Sequence, residues 1–290
     1  MRRAWFPAVV LGAAVAAEAG QSIPHSGDLA GLLGRVGARV EEFYARARTV
    51  TSKETARFYE LEADFRASAP PRQLVYELRW TWDPPLDGTS PEASVVRRLV
   101  TVNGRPPRPK DEPRCEDPKD VTPDSLSMLL PANHDDYEFK LAGASRVDNR
   151  ASISIDFRSI SKEKSSAEWN DTCVNLTVPR TRGRIWVDAA NFDVLRLDQH
   201  LPGMVDFEAS PDIARRFGTL HMALERHDSS IRYREVRFDD PEETLTLPRL
   251  IETTSIWRGM GIVRHRRTQE FSDYRRFITG ARILGDEDFR

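Results

Sequence analysis

The sequence is poor in the residues that carry most enzyme chemistry. It has two cysteines and six histidines in 290 residues. The histidines, His25, His134, His200, His221, His227 and His265, show no metal-ligand spacing. A phosphate-cradling Gly loop, G-x-G-x-x-G, H-E-x-x-H and G-x-S-x-G are all missing, which removes the commonest nucleotide, zinc-peptidase and serine-hydrolase signatures. Lysine is scarce, 6 against 37 arginines, and the net charge of −2 lacks the basic excess that nucleic acid calls for. No apolar run reaches the ~18 residues of a membrane-spanning helix. A non-enzymatic protein is therefore expected, with no catalytic residue, metal or cofactor and no nucleic-acid partner.

What the chain does have begins at its N-terminus. Met1-Arg2-Arg3 is basic, Ala4 to Ala17 is apolar, and Ala17-Glu18-Ala19 fits an A-x-A cleavage site. Residues 1–19 thus read as a signal peptide, placing the mature chain in the periplasm or outside the cell. No cysteine follows the apolar run, which argues against a lipid-modified N-terminus. Export to an oxidising space makes a disulfide between Cys115 and Cys173 the expected state, with two unpaired thiols as the alternative. Both cysteines sit in polar segments, "DEPRCEDPKD" and "EWNDTCVNL", which suits a staple between loops.

After the leader, apolar residues recur at steps of three and four: Leu29, Leu32, Leu33, Val36, Val40, Phe43 and Ala47. This predicts an amphipathic helix capped by Asp28. The period then changes to two. Tyr59, Leu61, Ala63, Phe65 and Ala67 alternate with acidic and basic residues, and Leu74, Tyr76, Leu78, Trp80 and Trp82 alternate with Val75, Glu77, Arg79, Thr81 and Asp83. Tyr137–Leu141, Ile153–Phe157 and several later segments repeat the pattern. Such alternation means strands with one dry and one wet face. The count is about ten or eleven, giving an α+β fold: an open antiparallel β-barrel wrapped around the N-terminal helix, one domain over residues 20–290.

Two segments interrupt the strands. Residues 104–135 are rich in proline and charge, and within them Asp124 is placed to cap a short helix carrying Leu126, Met128, Leu129 and Leu130, a lid, a plug or ordinary packing. "SPDIARRFGTL", from Ser210, reads as a second short helix with Pro211 in its first turn and Gly218 near its end. His134, Asp135 and Asp136 read as a turn before a strand rather than a metal site. The basic run Arg264, His265, Arg266 and Arg267 reads as an exposed strand.

The hairpin "GRIWVDAANFDVLRLDQHLPG", Gly183 to Gly203, resembles the G-x-(I/L)-W-(I/V)-D hairpin of the LolA/LolB-like superfamily, as does the closing "EFSDYRRF", Glu270 to Phe277. That superfamily holds periplasmic lipoprotein-sorting carriers and their relatives. The resemblance implies an incomplete barrel of about eleven strands, plugged by helices, with an apolar interior that shields lipid. This chain departs from the carriers in its length, its insertion at 104–135 and its arginine content. The expected ligand is a lipid, a lipoprotein acyl chain or another apolar group, with an envelope protein as a further partner. The expected cradle is Leu29, Leu33, Val36, Val40, Phe43, Tyr76, Leu78, Trp80 and Trp82. The alternative is a structural or partner-binding envelope module whose core is filled.

Overall fold

A computed structural model of the protein describes residues 28–83, 92–111, 114–119, 121–170, 173–259 and 261–276. The expected signal peptide, residues 1–19, and Phe277 of the closing segment lie outside the described residues.

Helix α1 spans Leu29–Ala47 and buries Leu32, Leu33, Val36, Gly37, Val40, Tyr44 and Ala47 along one stripe. Asp28 stands at the N-cap but makes no side-chain cap bond, because its backbone (φ −113°, ψ 28°) is not in the extended conformation that aims the carboxylate at the first amides. Its carboxylate accepts instead from Arg35 at 3.3 Å. Gly37 has a packing reason: a Cβ there would come within 3.0 Å of the Leu129 carbonyl and 3.1 Å of Pro131. The polar flank is tied down by Arg39, which donates to Asp193 at 2.9 and 2.7 Å, and by Arg46, paired with Glu243.

The strands are β1 (Val50–Glu60), β2 (Arg72–Asp83), β3 (Glu92–Val102), β4 (Val121–Pro123), β5 (Tyr137–Val147), β6 (Arg150–Ser159), β7 (Ser166–Asn170), β8 (Cys173–Thr177), β9 (Arg182–Asp188), β10 (Val194–His200), β11 (Val205–Glu208), β12 (His221–Asp239), β13 (Glu242–Arg258) and β14 (Ile262–Arg276). One antiparallel sheet runs β4-β3-β2-β1-β14-β13-β12-β10-β9-β6-β5, with β11 also on β12. β4 and β5 do not pair, so the barrel is open. β7 and β8 form a separate hairpin, and helix α2 covers Pro211–Phe217, capped by Ser210 with Gly218 (φ 65°) at its end.

One expected strand is not there. β1 stops at Glu60, and 61–67 double back through a tight turn closed by a Leu61–Ala67 bridge. The amide of Phe65 donates to the Glu62 carbonyl at 3.0 Å, and the Asp64 carboxylate accepts from the Arg66 amide at 3.1 Å. Asp64 is a turn former, and the alternation across it was a coincidence of composition.

The hairpin of β9 and β10 turns over Asp188, whose carboxylate accepts from the amides of Ala190 and Asn191 at 2.8 and 3.2 Å. At its start, a Cβ on Gly183 would lie 1.9 Å from the Asp198 carbonyl and 2.8 Å from the Phe157 ring. The ring of the neighbouring strand occupies the space that a side chain would need.

The main core joins α1 to Leu126, Met128, Leu129 and Leu130 and to the inner faces of β6, β9, β10 and β12. Asp124 does cap this 3-10 segment, Ser125–Leu129, accepting from the Leu126 amide and from the Tyr44 hydroxyl at 2.8 Å. Leu129 and Leu130 are fully buried, so this part of the insertion is a plug. His134 follows in a second 3-10 turn, its Nε2 2.8 Å from the Leu129 carbonyl. A second cluster gathers Leu78, Trp80, Val95, Leu247 and Phe271, and a smaller one Ala56, Leu74, Tyr76 and Val102.

Gly183→Ala is expected to lower unfolding stability by about 1–3 kcal/mol, because the strand must move to admit the methyl. Urea denaturation of the two proteins measures it, and equal midpoints would refute the close-approach account.

Candidate functional site

The inner face of the sheet is chemically divided, and the register shows how. One cross-strand row runs Gln269, Ile251, Ile231, Leu197, Ile185 and Ile155 across β14, β13, β12, β10, β9 and β6. It is apolar apart from Gln269. The next row on the same face runs Phe58, Arg267, Thr253, Ser229, Gln199 and Gly183. The row beyond holds Glu60, His265, Ser255 and His227. α1 and its plug lie over the apolar arc from β6 to β12. The rest of the face borders a cavity of about 1750 Å³.

The cavity has two walls of opposite character. Leu78, Trp80, Ile231, Ile251 and Phe271 give it an apolar side, and Arg267, Thr253, Ser229, Ser255, His227 and His265 give it a polar end, with Trp257 one row beyond Ser255. The first part of the insertion also lines it, with Arg105, Asp111, Glu116 and Asp117, together with Val174, Asn175 and Leu176 of β8. Cys115 and Cys173 join these two pieces by a disulfide with a Cα–Cα distance of 5.2 Å. Arg72 of β2, paired with Asp117 by two hydrogen bonds, ties the insertion to the sheet, and the Arg105–Asp111 pair (2.5 and 2.7 Å) closes a turn within it.

Charges at the polar end are unevenly matched. Glu54 is fully buried and accepts from Arg97 Nε at 2.7 Å and from the Gln269 side-chain amide. Arg267 has no ion-pair partner among the described residues; its Nη1 reaches the Glu116 carbonyl at 3.4 Å and its Nε has no partner. Burial holds the Arg267 guanidinium below its usual pKa. His227 lies with its Nδ1 2.9 Å from the Ser255 hydroxyl. Burial, and then the charge of Arg267, push the His227 imidazole below its ordinary 6.5. Among the described residues no carboxylate hydrogen-bonds to His227, so this Ser–His contact lacks the third group that orients a catalytic base.

The structure sorts the residues expected to form a cradle. Leu78 and Trp80 border the cavity. Leu33, Val36 and Val40 are buried in the main core, where Leu29, Phe43 and Trp82 pack against it; Tyr76 packs with Leu74 and Ala56. Trp80 is wedged between Phe43 (ring centroids 6.5 Å) and Tyr274 (6.3 Å). The exposed-strand reading of Arg264–Arg267 is corrected: His265, Arg266 and Arg267 all border the cavity. β12–β14 were expected as strands, but their inner rows are polar and read as a wet face, so no cavity residue was expected on them. The available signal was alternation with no dry side, as in His265-Arg266-Arg267-Thr268-Gln269.

No family model matches the chain, and no curated protein does. Among solved structures it is similar to a DUF1329 family protein from Desulfovibrio piger (TM-score 0.42, 11% identity, 87% of this chain and 94% of that one). It is also similar to a LolA superfamily protein from Nitrosomonas europaea (TM-score 0.37, 10% identity, 88% and 98%). A third likeness is to a domain described as an outer membrane lipoprotein-sorting protein from Vibrio parahaemolyticus (TM-score 0.37, 12% identity, 89% and 97%).

Two outcomes are expected. Cys115→Ser/Cys173→Ser opens a loop with a sequence separation of 58; by chain entropy this costs about 4 kcal/mol, read as a lower urea midpoint. Because burial lowers the His227 pKa in the fold, the unfolded chain binds its proton first as pH falls. The stability tied to it is present above about pH 6.5 and is lost as pH drops below that value. The melting temperature of His227→Gln is expected to fall less steeply than wild type between about pH 7.5 and 5.5. Parallel curves would refute it.

Proposed function

We propose that the protein is an exported, non-enzymatic carrier that holds an amphipathic lipid, such as a lipoprotein acyl chain with its polar end, in the open barrel. The observation that carries this reading is the cavity. Its volume of about 1750 Å³ exceeds the ~300–1,000 Å³ of ordinary small-molecule pockets. Its apolar wall of Leu78, Trp80, Ile231, Ile251 and Phe271 suits methylenes, each contributing about 0.8 kcal/mol on burial. The polar end suits the part of the ligand that stays hydrated. Export is supported by the sequence of residues 1–19 and by the formed disulfide, which belongs to an oxidising compartment.

The purified mature protein is expected to bind an apolar fluorophore such as N-phenyl-1-naphthylamine and to release it to a monoacylglycerol. Thr253→Trp, which fills the cavity from its wall, is expected to weaken that binding roughly tenfold by displacing two or three methylenes. Thermal unfolding of the variant verifies that it is folded. A folded wild type that binds neither probe would overturn the carrier reading in favour of a structural or partner-binding module.

A further inference from the structure

We propose that the polar end of the cavity is an anion site that takes the phosphate head of the lipid, with Arg267 as the principal contact. The inference rests on the carrier reading for the attached chain, but the site itself is argued from its own groups.

A guanidinium withdrawn from water without a counter-ion is unfavourable, and folded proteins nearly always supply one. Two arginines that line the cavity beside Arg267 have theirs: Arg72 on Asp117 and Arg105 on Asp111. The buried Arg97 has Glu54. Glu54 gives its hydrogen bonds to Arg97 and Gln269, and with Asp117 it acts on Arg267 through space without bonding to it. Among the described residues Arg267 is left with one long bond to a carbonyl and an Nε that donates to nothing.

On the β1 side Arg267 faces Phe58, with Glu60 opposite His265, and on the β13 side its neighbours are donors. Thr253 is its cross-strand partner, and Ser229 is the partner of Thr253 in turn. His265 and His227 stand one row further on, either side of Ser255. A cluster of guanidinium, hydroxyl and imidazole groups with no carboxylate bonded to Arg267 suits a ligand that offers only acceptor oxygens. Phosphate is that ligand, and arginine binds it through paired N–H donors. A metal ion is disfavoured by the same inventory, since no cluster of His, Cys, Asp or Glu capable of holding one is found among the described residues.

The position of the site matches a headgroup. On β13, Ile251 precedes Thr253 on the same face, two residues or about 7 Å along the strand. From Ile251 the apolar row continues to Ile231, and Leu78 and Trp80 line the same cavity. A phosphate at Arg267 therefore delivers its first methylenes onto the apolar wall.

The test compares lysophosphatidic acid with the monoacylglycerol of the same chain, which differ only in the phosphate, by displacement of the fluorophore. Wild type is expected to prefer the phosphorylated lipid by roughly tenfold or more, the scale of a charge-assisted hydrogen bond. Arg267→Met is expected to erase the preference while keeping monoacylglycerol binding. Thr253→Glu, which sets a carboxylate against Arg267, is expected to do the same should Arg267→Met not fold. Equal affinity of wild type for the two lipids overturns the anion site and leaves the carrier standing. If neither lipid binds, the carrier reading falls, and the site is then decided by inorganic phosphate. A rise in wild-type melting temperature that Thr253→Glu abolishes supports it as a site for the free ion, and no rise overturns it. Competition of free phosphate with lysophosphatidic acid in the folded wild type identifies the same pole as the place where both bind.

Discussion

A single helix lying inside a sheet of this width cannot cover it. With 19 residues, α1 is about 28 Å long and 10–12 Å across. The sheet path from β4 to β5 has strands spaced about 4.8 Å apart, and its concave face is several helix diameters wide. Leu126–Leu130 extend the cover, and together they dry the arc from β6 to β12. Beyond that arc the face must be filled by its own side chains or left as space, and this chain does some of each. Trp80, Phe271 and Leu247 fill one part; Arg267, Thr253 and Ser229 border the open remainder.

That division sets the electrostatics of the interior. Where the face is closed off, a charge must be matched within the protein, and Glu54 is matched twice, by Arg97 and Gln269. Removing either partner would leave a carboxylate without full hydrogen bonding in a dry setting, which is the costly way to alter a buried pair. Where the face opens, polar groups can be left to the solvent or to whatever enters. Thr253, His227 and Ser255 belong to that second regime, and their positions follow from strand register rather than from any local motif.

The legible part of the fold was the part in which local pattern and tertiary environment agree. The stripe of α1, the Leu74–Trp82 alternation, the cap at Asp124 and the pairing of the two cysteines all report environments that neighbouring residues share. The Tyr59–Ala67 segment misled because period-two alternation continued across a turn fixed by Asp64, a residue whose carboxylate reshapes the backbone. The polar end of the cavity was illegible for another reason. An inward-facing Arg, Thr or His on a strand looks like an outward-facing one unless it is known that the barrel is wider than its plug. Trp80 was picked out by its bulk, whereas Arg267 was hidden in a basic run that reads as surface.

The open edge gives the disulfide a further meaning. Cys115 belongs to the insertion between β3 and β4, at one end of the sheet path, and Cys173 to the hairpin between β6 and β9, near the other end. Hydrogen-bond ladders connect these two places the long way round the barrel, and the covalent bond connects them the short way. Together they make a closed ring, one part of which is a single bond that reduction can cut. The girth of the barrel is thereby fixed by a clasp rather than by an eleventh ladder of backbone pairing, so the protein has a circumference that depends on the oxidation state of two thiols.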